Sequence, residues 1–195
     1  SILAVRRMEF RWALAACVGV LVFGTLKGIL IAIIVSMIGL ASQAAFPHVY
    51  VIGRKRGADV LRPLSPEHPD DETFPGLLIL RPEGRLFFVN AQNVAEQMKA
   101  LVTRYQPRVV ALDFSRVPDL EYSALQMLIE GDQRMQERGI EVWVAALNPG
   151  VLEVARQSGL ADQLGKERLL FNARQVIERY QALHGKGGAA PAQQA

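Results

Sequence analysis

The chain has 195 residues, a formal net charge of +3 and a single cysteine, Cys17. One cysteine excludes a disulfide framework or a cysteine-based metal site within the chain. Residues 1–56 hold seven Lys or Arg against one acid and carry +6, so the remainder carries −3. Because the basic excess flanks an apolar stretch and the rest is mildly acidic, the composition argues against a nucleic-acid-binding protein.

Residues 12–46 are almost continuously apolar and predict a hairpin of two transmembrane helices in a lipid bilayer. A single helix would be about 50 Å long, against the roughly 30 Å of hydrocarbon in a bilayer. It would also bury Lys27 near the bilayer centre, which is costly. A turn at Gly24–Gly28 gives spans at 12–26 and 28–46, and the basic residues at both ends then lie in the cytoplasm.

The other domain boundaries are predicted from changes in amino-acid composition along the chain. Residues 1–11 are predicted to form a basic cytoplasmic flank. Residues 47–75 are rich in proline and predict an extended cytoplasmic linker. Residues 76–184 carry the pattern of a globular domain, and the Gly- and Ala-rich residues 185–195 predict a disordered tail.

The globular domain is predicted to be an α/β domain with the order ββαβαβαβα, a mostly parallel sheet with helices. Its first two strands, 77–81 and 86–89, would form a hairpin. Asn90 would cap the first helix, and Asn172 with Gln175 would cap the last. Between these two helices we predict strands at 109–114, 141–147 and 169–171, and helices at about 123–138 and 149–158.

The loop after the strand at 109–114 is the candidate site, because ligands of α/β sheets bind outside the carboxyl ends of strands. It reads DFSRVPDLEYSAL from Asp113 to Leu125. Purely structural roles stay open for two of these residues. Ser123 could cap the following helix, and the negative charge of Glu121 could interact with the positive amino end of the helix dipole. The candidate residues are Asp113, Ser115, Glu121, Tyr122 and Ser123.

The sequence lacks the motifs of common enzyme sites. It has no G-x-S-x-G, no P-loop lysine motif and no set of His, Asp and Glu at metal-ligand spacing. We therefore predict a protein that is not an enzyme, without catalytic residues, metal or cofactor. An enzyme that acts on nucleotides at the candidate loop has only a fold-level analogy behind it.

Three stretches together resemble the C-terminal portion of the SulP family of inorganic anion transporters, the sulfate permeases. Residues 24–54, GTLKGILIAIIVSMIGLASQAAFPHVYVIGR, are similar to the last span of that family and its exit. Residues 75–91, PGLLILRPEGRLFFVNA, are similar to the first strands of its STAS domain, and residues 113–125 to the signature loop of STAS domains.

The resemblance implies a secondary transporter of sulfate or a related anion such as bicarbonate or a dicarboxylate, without enzymatic activity. The substrate site would lie upstream of Ser1, in a missing transmembrane domain, and the two spans here would belong to the gate side. The resemblance also implies a homodimer in the bacterial inner membrane, with the STAS domain in the cytoplasm for regulation, folding or dimer contacts. A cytoplasmic protein is a further expected partner.

One position departs from the pattern of the bacterial anti-sigma-factor antagonists, which have STAS domains. Those proteins carry a phosphorylatable serine directly after an acidic residue of the loop, whereas Tyr122 follows Glu121 here. The departure argues against the same phosphorylation switch. The alternative to a transporter fragment is a self-contained, membrane-anchored STAS protein that recruits a regulator.

Overall fold

The computed structural model describes residues 14, 24–185 and 190–191. The chain divides into two compact units, residues 1–45 and 46–195. Of the predicted domains, the flank at 1–11 and most of the first span, 12–26, lie outside the described residues.

The described part of the first unit is helix α1, Thr25–Ala45. It covers the second predicted span except Phe46 and begins directly after Gly24, where the backbone has a φ of +78°. Residues 25–28, which were predicted to lie in the turn, are helical instead. No helix in residues 24–185 is both long enough and apolar enough to cross a membrane, so the hairpin stays a prediction. The large apolar side chains exposed on α1 are those of Leu26, Ile29, Leu30, Ile33, Ile34, Met37, Ile38 and Leu40.

The second unit is built on an eight-stranded mixed sheet with the order β7-β6-β5-β4-β1-β3-β8, and β2 pairs with β1. Strands β4 to β7 are parallel to one another, and β1 runs antiparallel to β4. The strands are β1 Val49–Arg54, β2 Leu61–Pro63, β3 Glu72–Thr73, β4 Leu77–Pro82, β5 Val109–Asp113, β6 Glu141–Ala145, β7 Leu169–Leu170 and β8 Ala190–Pro191.

Five helices cover the two faces of this sheet. They are α2 Phe88–Tyr105, α3 Tyr122–Glu137, α4 Pro149–Gln157, α5 Leu160–Leu164 and α6 Ala173–His184. Side chains alternate along each strand, so Leu78 and Val110 join a core under α2 to α5, while Leu77 and Val109 join a core under α6. The short helix α5 is the one element of this series that the sequence pattern did not predict.

The segment predicted as a linker, 47–75, differs from that expectation because it contributes strands β1 to β3. Val49 to Ile52 are the aromatic and β-branched residues that favour a strand. Two ion pairs hold the rest of the segment. Arg54 contacts Glu72 at 2.8 Å, and Arg62 binds Asp71 with two hydrogen bonds of 2.8 Å. Proline density excluded a helix here, but it did not exclude short strands at a sheet edge.

The strand predicted at 86–89 is wrong. Its residues lead into α2, and the sheet contact there is an isolated bridge between Leu86 and Leu120. Asn90 is the third residue of α2 rather than its N-cap: its Oδ1 accepts from the Phe87 N–H at 3.0 Å and its Nδ2 donates to the Arg85 carbonyl at 2.8 Å. The order ββα is nevertheless present, because β1 supplies the first strand.

The ends of the last helix follow the prediction more closely. Asn172 is the N-cap of α6, and its Oδ1 accepts from the Gln175 N–H at 2.9 Å. Most of the predicted disordered tail, 185–195, lies outside the described residues. Its described pair, Ala190 and Pro191, runs antiparallel to Glu72 and Thr73.

Candidate functional site

The predicted loop begins at a buried carboxylate at the carboxyl end of β5. Asp113 has a side-chain exposure of 2%, and its Oδ2 accepts from Arg81 Nε at 2.9 Å and Arg81 Nη2 at 2.7 Å. Its Oδ1 accepts from the Ser115 N–H at 3.0 Å. Both oxygens are therefore engaged inside the domain, which makes Asp113 an anchor of the loop rather than a group free to bind a ligand.

Three apolar side chains, those of Phe114, Val117 and Leu120, fix the loop from below, since each is at most 2% exposed. Backbone hydrogen bonds fix it from the side. The Gly84 N–H donates to the Arg116 carbonyl and the Leu86 N–H to the Asp119 carbonyl, each at 3.1 Å. Buried side chains and paired amides leave this loop little local freedom.

The exposed candidate residues lie at the two ends of the loop. Ser115 is exposed just after β5, while Tyr122, 63% exposed, and Ser123 stand exposed at the start of α3. Of the five predicted residues, the structure thus separates buried Asp113 from an exposed group. The adjoining start of α2 adds two more exposed apolar side chains, Phe88 and Val89.

The start of α3 shows which of the two residues occupies the N-cap. Glu121 occupies the N-cap, and Ser123, as the second helical residue, is not the cap. The Glu121 carboxylate makes no capping bond and lies 3.4 Å from Arg85 Nη2. Arg85 also contacts Asp119 at 2.9 Å, and all three side chains are well exposed. Exposed pairs of this kind contribute little stability.

Sequence reasoning missed three side chains that hold this edge: Arg81, Arg85 and Asn148. Asn148 precedes α4, and its Nδ2 donates to the Val117 carbonyl at 2.6 Å, while its Oδ1 is buried without a hydrogen-bond partner. The available signal was the position of Arg81, Asp113 and Asn148 at the carboxyl ends of neighbouring parallel strands, which meet at one edge.

The exposed residues offer contacts rather than chemistry. Within residues 24–185, no group of three or more His, Cys, Asp or Glu side chains is placed to hold a metal ion. The loop presents an exposed tyrosine and serine beside two apolar side chains, on a backbone fixed by the core. Such a surface suits the binding of another macromolecule.

Comparison with known families decides the class. The family model described as STAS domain matches residues 68–176. The chain belongs to the STAS domain family. The match begins inside the segment that was predicted as a linker and includes β3.

The relatives confirm the resemblance to SulP-type transporters with a STAS domain. High affinity sulfate transporter 2 of Stylosanthes hamata is 24% identical over 184 residues, which cover 89% of this chain and 28% of the relative. Sulfate transporter 1.3 of Arabidopsis thaliana is 23% identical over 187 residues, 91% of this chain and 28% of the relative. The chain thus spans just over a quarter of the length of these relatives, which are named as transporters and not as enzymes.

Solved structures share the fold. The murine Slc26a9 anion transporter matches with a TM-score of 0.76 at 13% identity, over 93% of this chain and 30% of that one. The STAS domain of a SulP transporter from Vibrio cholerae matches with a TM-score of 0.51 at 23% identity, over 57% of this chain and 87% of that one. At these identities the likeness establishes the STAS fold and nothing beyond it.

Proposed function

We propose that this chain is the C-terminal portion of a SulP-type secondary anion transporter that carries sulfate or a related anion such as bicarbonate or a dicarboxylate. The observation that carries the proposal is the extent of the match. The Arabidopsis transporter aligns over 91% of the chain, whereas the STAS model covers only residues 68–176. A STAS protein unrelated to transporters gives no reason for similarity that continues into the apolar segment before the domain.

The apolar helix α1 supports a membrane role for the first unit. Eight of its large apolar side chains are exposed, which water would disfavour by about 25 cal/mol for each Å² of apolar surface. The predicted spans 12–26 and 28–46, the second of them largely formed by α1, would be the two-span hairpin at the end of the transporter domain. The STAS domain would then lie in the cytoplasm, at the bacterial inner membrane.

The short segment that leads into β1 is anchored within the second unit. Only Phe46, Pro47 and His48 separate α1 from β1. Gln97 of α2 binds this connection twice: its Nε2 donates to the Pro47 carbonyl at 2.8 Å and its Oε1 accepts from the Val49 N–H at 3.2 Å. These two bonds hold the segment that enters β1 against α2.

The STAS domain would act through contacts and not through catalysis, as a regulatory and dimer-forming module without a cofactor. Its partner surface would be the exposed part of the loop, Tyr122 and Ser123, with Glu121 beside them. Asp113 and Ser115 would support that surface from the end of β5. The expected partners are a second copy of the transporter and a cytoplasmic protein.

Cysteine labelling tests the membrane part of the proposal. In a Cys17→Ser background, Lys27→Cys should react with an impermeant maleimide from outside the cell, whereas Arg54→Cys should react only after permeabilisation. His68→Cys, in the second unit, is the matched control for the cytoplasmic side. Labelling of positions 27 and 54 from the same side would contradict the hairpin.

The size of the native polypeptide separates the transporter from the membrane-anchored STAS protein. An antibody raised against residues 76–184 should detect, in membranes of the source organism, a band several-fold heavier than 21.5 kDa. A band near 21.5 kDa would overturn the transporter proposal and favour the self-contained anchored regulator.

A further inference from the structure

The amino edge of the parallel sheet, opposite the STAS loop, contains a cleft of about 260 Å³. Two segments that lead into neighbouring strands, Gly76 before β4 and Arg108 before β5, form one wall. The end of α6 forms the other. The residues that line the cleft are Phe74, Pro75, Gly76, Arg108, Tyr180, Gln181, His184 and Gly185.

The floor of the cleft is held in one arrangement. The Gly76 carbonyl accepts from the N–H groups of Arg108 at 2.8 Å and Val109 at 3.0 Å. Tyr180, 5% exposed, donates its hydroxyl proton to the Pro75 carbonyl at 2.8 Å. Gly76 has a φ of +83°, and any Cβ there would collide with the Tyr180 hydroxyl. The close approach of the turn to the tyrosine therefore requires glycine.

Two basic side chains flank this tyrosine. The His184 ring stacks on Tyr180 with centroids 4.5 Å apart, and its Nδ1 lies 3.3 Å from the Tyr180 carbonyl. With Nδ1–H donating to that carbonyl, Nε2 of the neutral ring can only accept, and the imidazolium form is the one that donates an Nε2–H to a ligand. The Arg108 side chain passes along Gly76 on the other side, and its charge opposes the rise that burial causes in the pKa of Tyr180.

The charge of the cleft is unbalanced. None of the described residues that line it carries a carboxylate, and among the described residues Arg108 has no ion pair. The carboxyl end of α6 contributes a partial charge of about −0.5, which is smaller than the full charge of the guanidinium. The net charge of the cleft therefore stays positive. The side-chain amide of Gln181 adds further hydrogen-bond donors.

We propose that this cleft binds a small oxyanion, with the Arg108 guanidinium as its main ligand and Gln181 and the imidazolium form of His184 as additional donors. The planar guanidinium offers two parallel N–H groups, which fit a carboxylate or a sulfate better than a monatomic ion. The rings of Phe74, Tyr180 and His184 also leave an apolar wall beside the charged head of an organic acid. The proposal does not rest on transport by this protein.

Amide chemical shifts of the isotopically labelled full chain in detergent micelles test the site. Sodium sulfate and sodium benzoate are titrated separately against sodium chloride at equal ionic strength. We expect saturable shifts at Gly76 and Arg108 with at least one oxyanion. Saturation by sulfate alone identifies an inorganic oxyanion site, and saturation by benzoate alone identifies a site for organic carboxylates. Shifts that never saturate, or that chloride reproduces, would overturn the proposal.

Variants assign the binding to the cleft. Arg108→Gln should weaken binding by about tenfold or more, as expected for the loss of a charge-assisted hydrogen-bonded pair. Arg108→Lys, which keeps the charge but not the fork, should fall between that variant and the native chain. Arg156→Gln removes an exposed arginine of α4 and is the matched control. Equal affinity in Arg108→Gln and Arg156→Gln would overturn the proposal, because the Arg108 charge would then only compensate the partial negative charge at the carboxyl end of α6.

His184→Gln provides a second test if Arg108→Gln unfolds. This variant is expected to bind the oxyanion more weakly than the native chain.

Discussion

The two edges of the parallel sheet use their polar side chains in opposite ways. At the carboxyl edge, charged groups face one another within the domain: Asp113 with Arg81 below the surface, and Arg85 with Asp119 and Glu121 above it. At the amino edge, Arg108 stands in a cleft without an acidic partner among the described residues. The buried pair of the first edge stabilises the fold, whereas we propose that the charge of the second is available for binding.

The difference shows that position on a sheet does not by itself identify a binding site. The carboxyl edge is where ligands of α/β sheets usually bind, yet the ionisable residue at its centre, Asp113, is fully engaged. What this edge exposes is a contact surface of Tyr122, Ser123, Phe88 and Val89. The comparison can be tested by removing side chains from each edge in turn.

The largest effect is expected at the buried pair. Asp113→Ala leaves Arg81 with an uncompensated charge in a site where its side chain is 12% exposed, so the free energy of unfolding should fall by about 3–5 kcal/mol. The change in the free energy of unfolding is measured by urea unfolding, with the fluorescence of Trp143 as the signal in a Trp12→Phe background. Asp119→Ala removes the same charge from an exposed pair and should cost at most about 1 kcal/mol. Equal losses in both variants would contradict the division between buried and exposed pairs.

A smaller loss is expected at the floor of the amino-edge cleft. Tyr180→Phe removes the bond to the Pro75 carbonyl and should lower the free energy of unfolding by about 1–2 kcal/mol. Burial raises the pKa of Tyr180 above 10.0, so its stabilising effect is present below about pH 10 and is lost as the pH rises through the raised value. The native chain should therefore lose more stability than Tyr180→Phe above pH 10. If the free energies of unfolding of the native chain and of Tyr180→Phe fell in parallel above pH 10, burial would not be what keeps the tyrosine neutral.

A gain of stability is expected next to the same edge. Gln106 ends α2 with a φ of 45° and a ψ of 55°, a left-handed conformation that glycine adopts without strain. Gln106→Gly should raise the free energy of unfolding by about 1 kcal/mol. Gly139→Ala, at a φ of +72° after α3, should have the opposite effect. Thermal unfolding of the two variants checks both signs, and a loss in Gln106→Gly would refute the assigned backbone strain.

The smallest effect is expected on the exposed side of the STAS loop. Tyr122→Ala and Ser123→Ala should each change the free energy of unfolding by less than about 0.5 kcal/mol, because neither side chain is buried. Urea unfolding of the two variants beside Asp113→Ala provides the comparison. A loss above about 1.5 kcal/mol in either one would mean that these residues serve the fold rather than a partner.

The sequence predicted the elements whose residues follow a regular pattern. The continuous apolar runs gave β5 and β6, and helical spacing gave α2, α3 and α6, because each of these buries one stripe or both faces. Of the two strands predicted before the first helix, 77–81 is present as β4 and 86–89 is absent, while β1 was not predicted. Val49 to Ile52 stand directly before a stretch dense in proline, and their pairing with β4 is a long-range contact that no local pattern reveals.

The candidate site was predictable in its location and not in its roles. The loop from Asp113 to Leu125 lies where the strand order placed it, at the carboxyl end of β5. That Asp113 is buried depends on Arg81, which is 32 residues away in sequence and adjacent only through the parallel pairing of β4 and β5. The amino-edge cleft also joins distant segments, at positions 76, 108 and 184, and none of them belongs to a motif.

Uptake of radiolabelled anions tests the central claim most directly. The native polypeptide would be purified with an antibody against residues 76–184 and reconstituted into liposomes, and the entry of sulfate, bicarbonate and a dicarboxylate would be measured. We predict saturable uptake of at least one of the three, reduced by an excess of the same unlabelled anion. Liposomes that take up none of them faster than protein-free liposomes would contradict the proposal that this chain is part of an anion transporter.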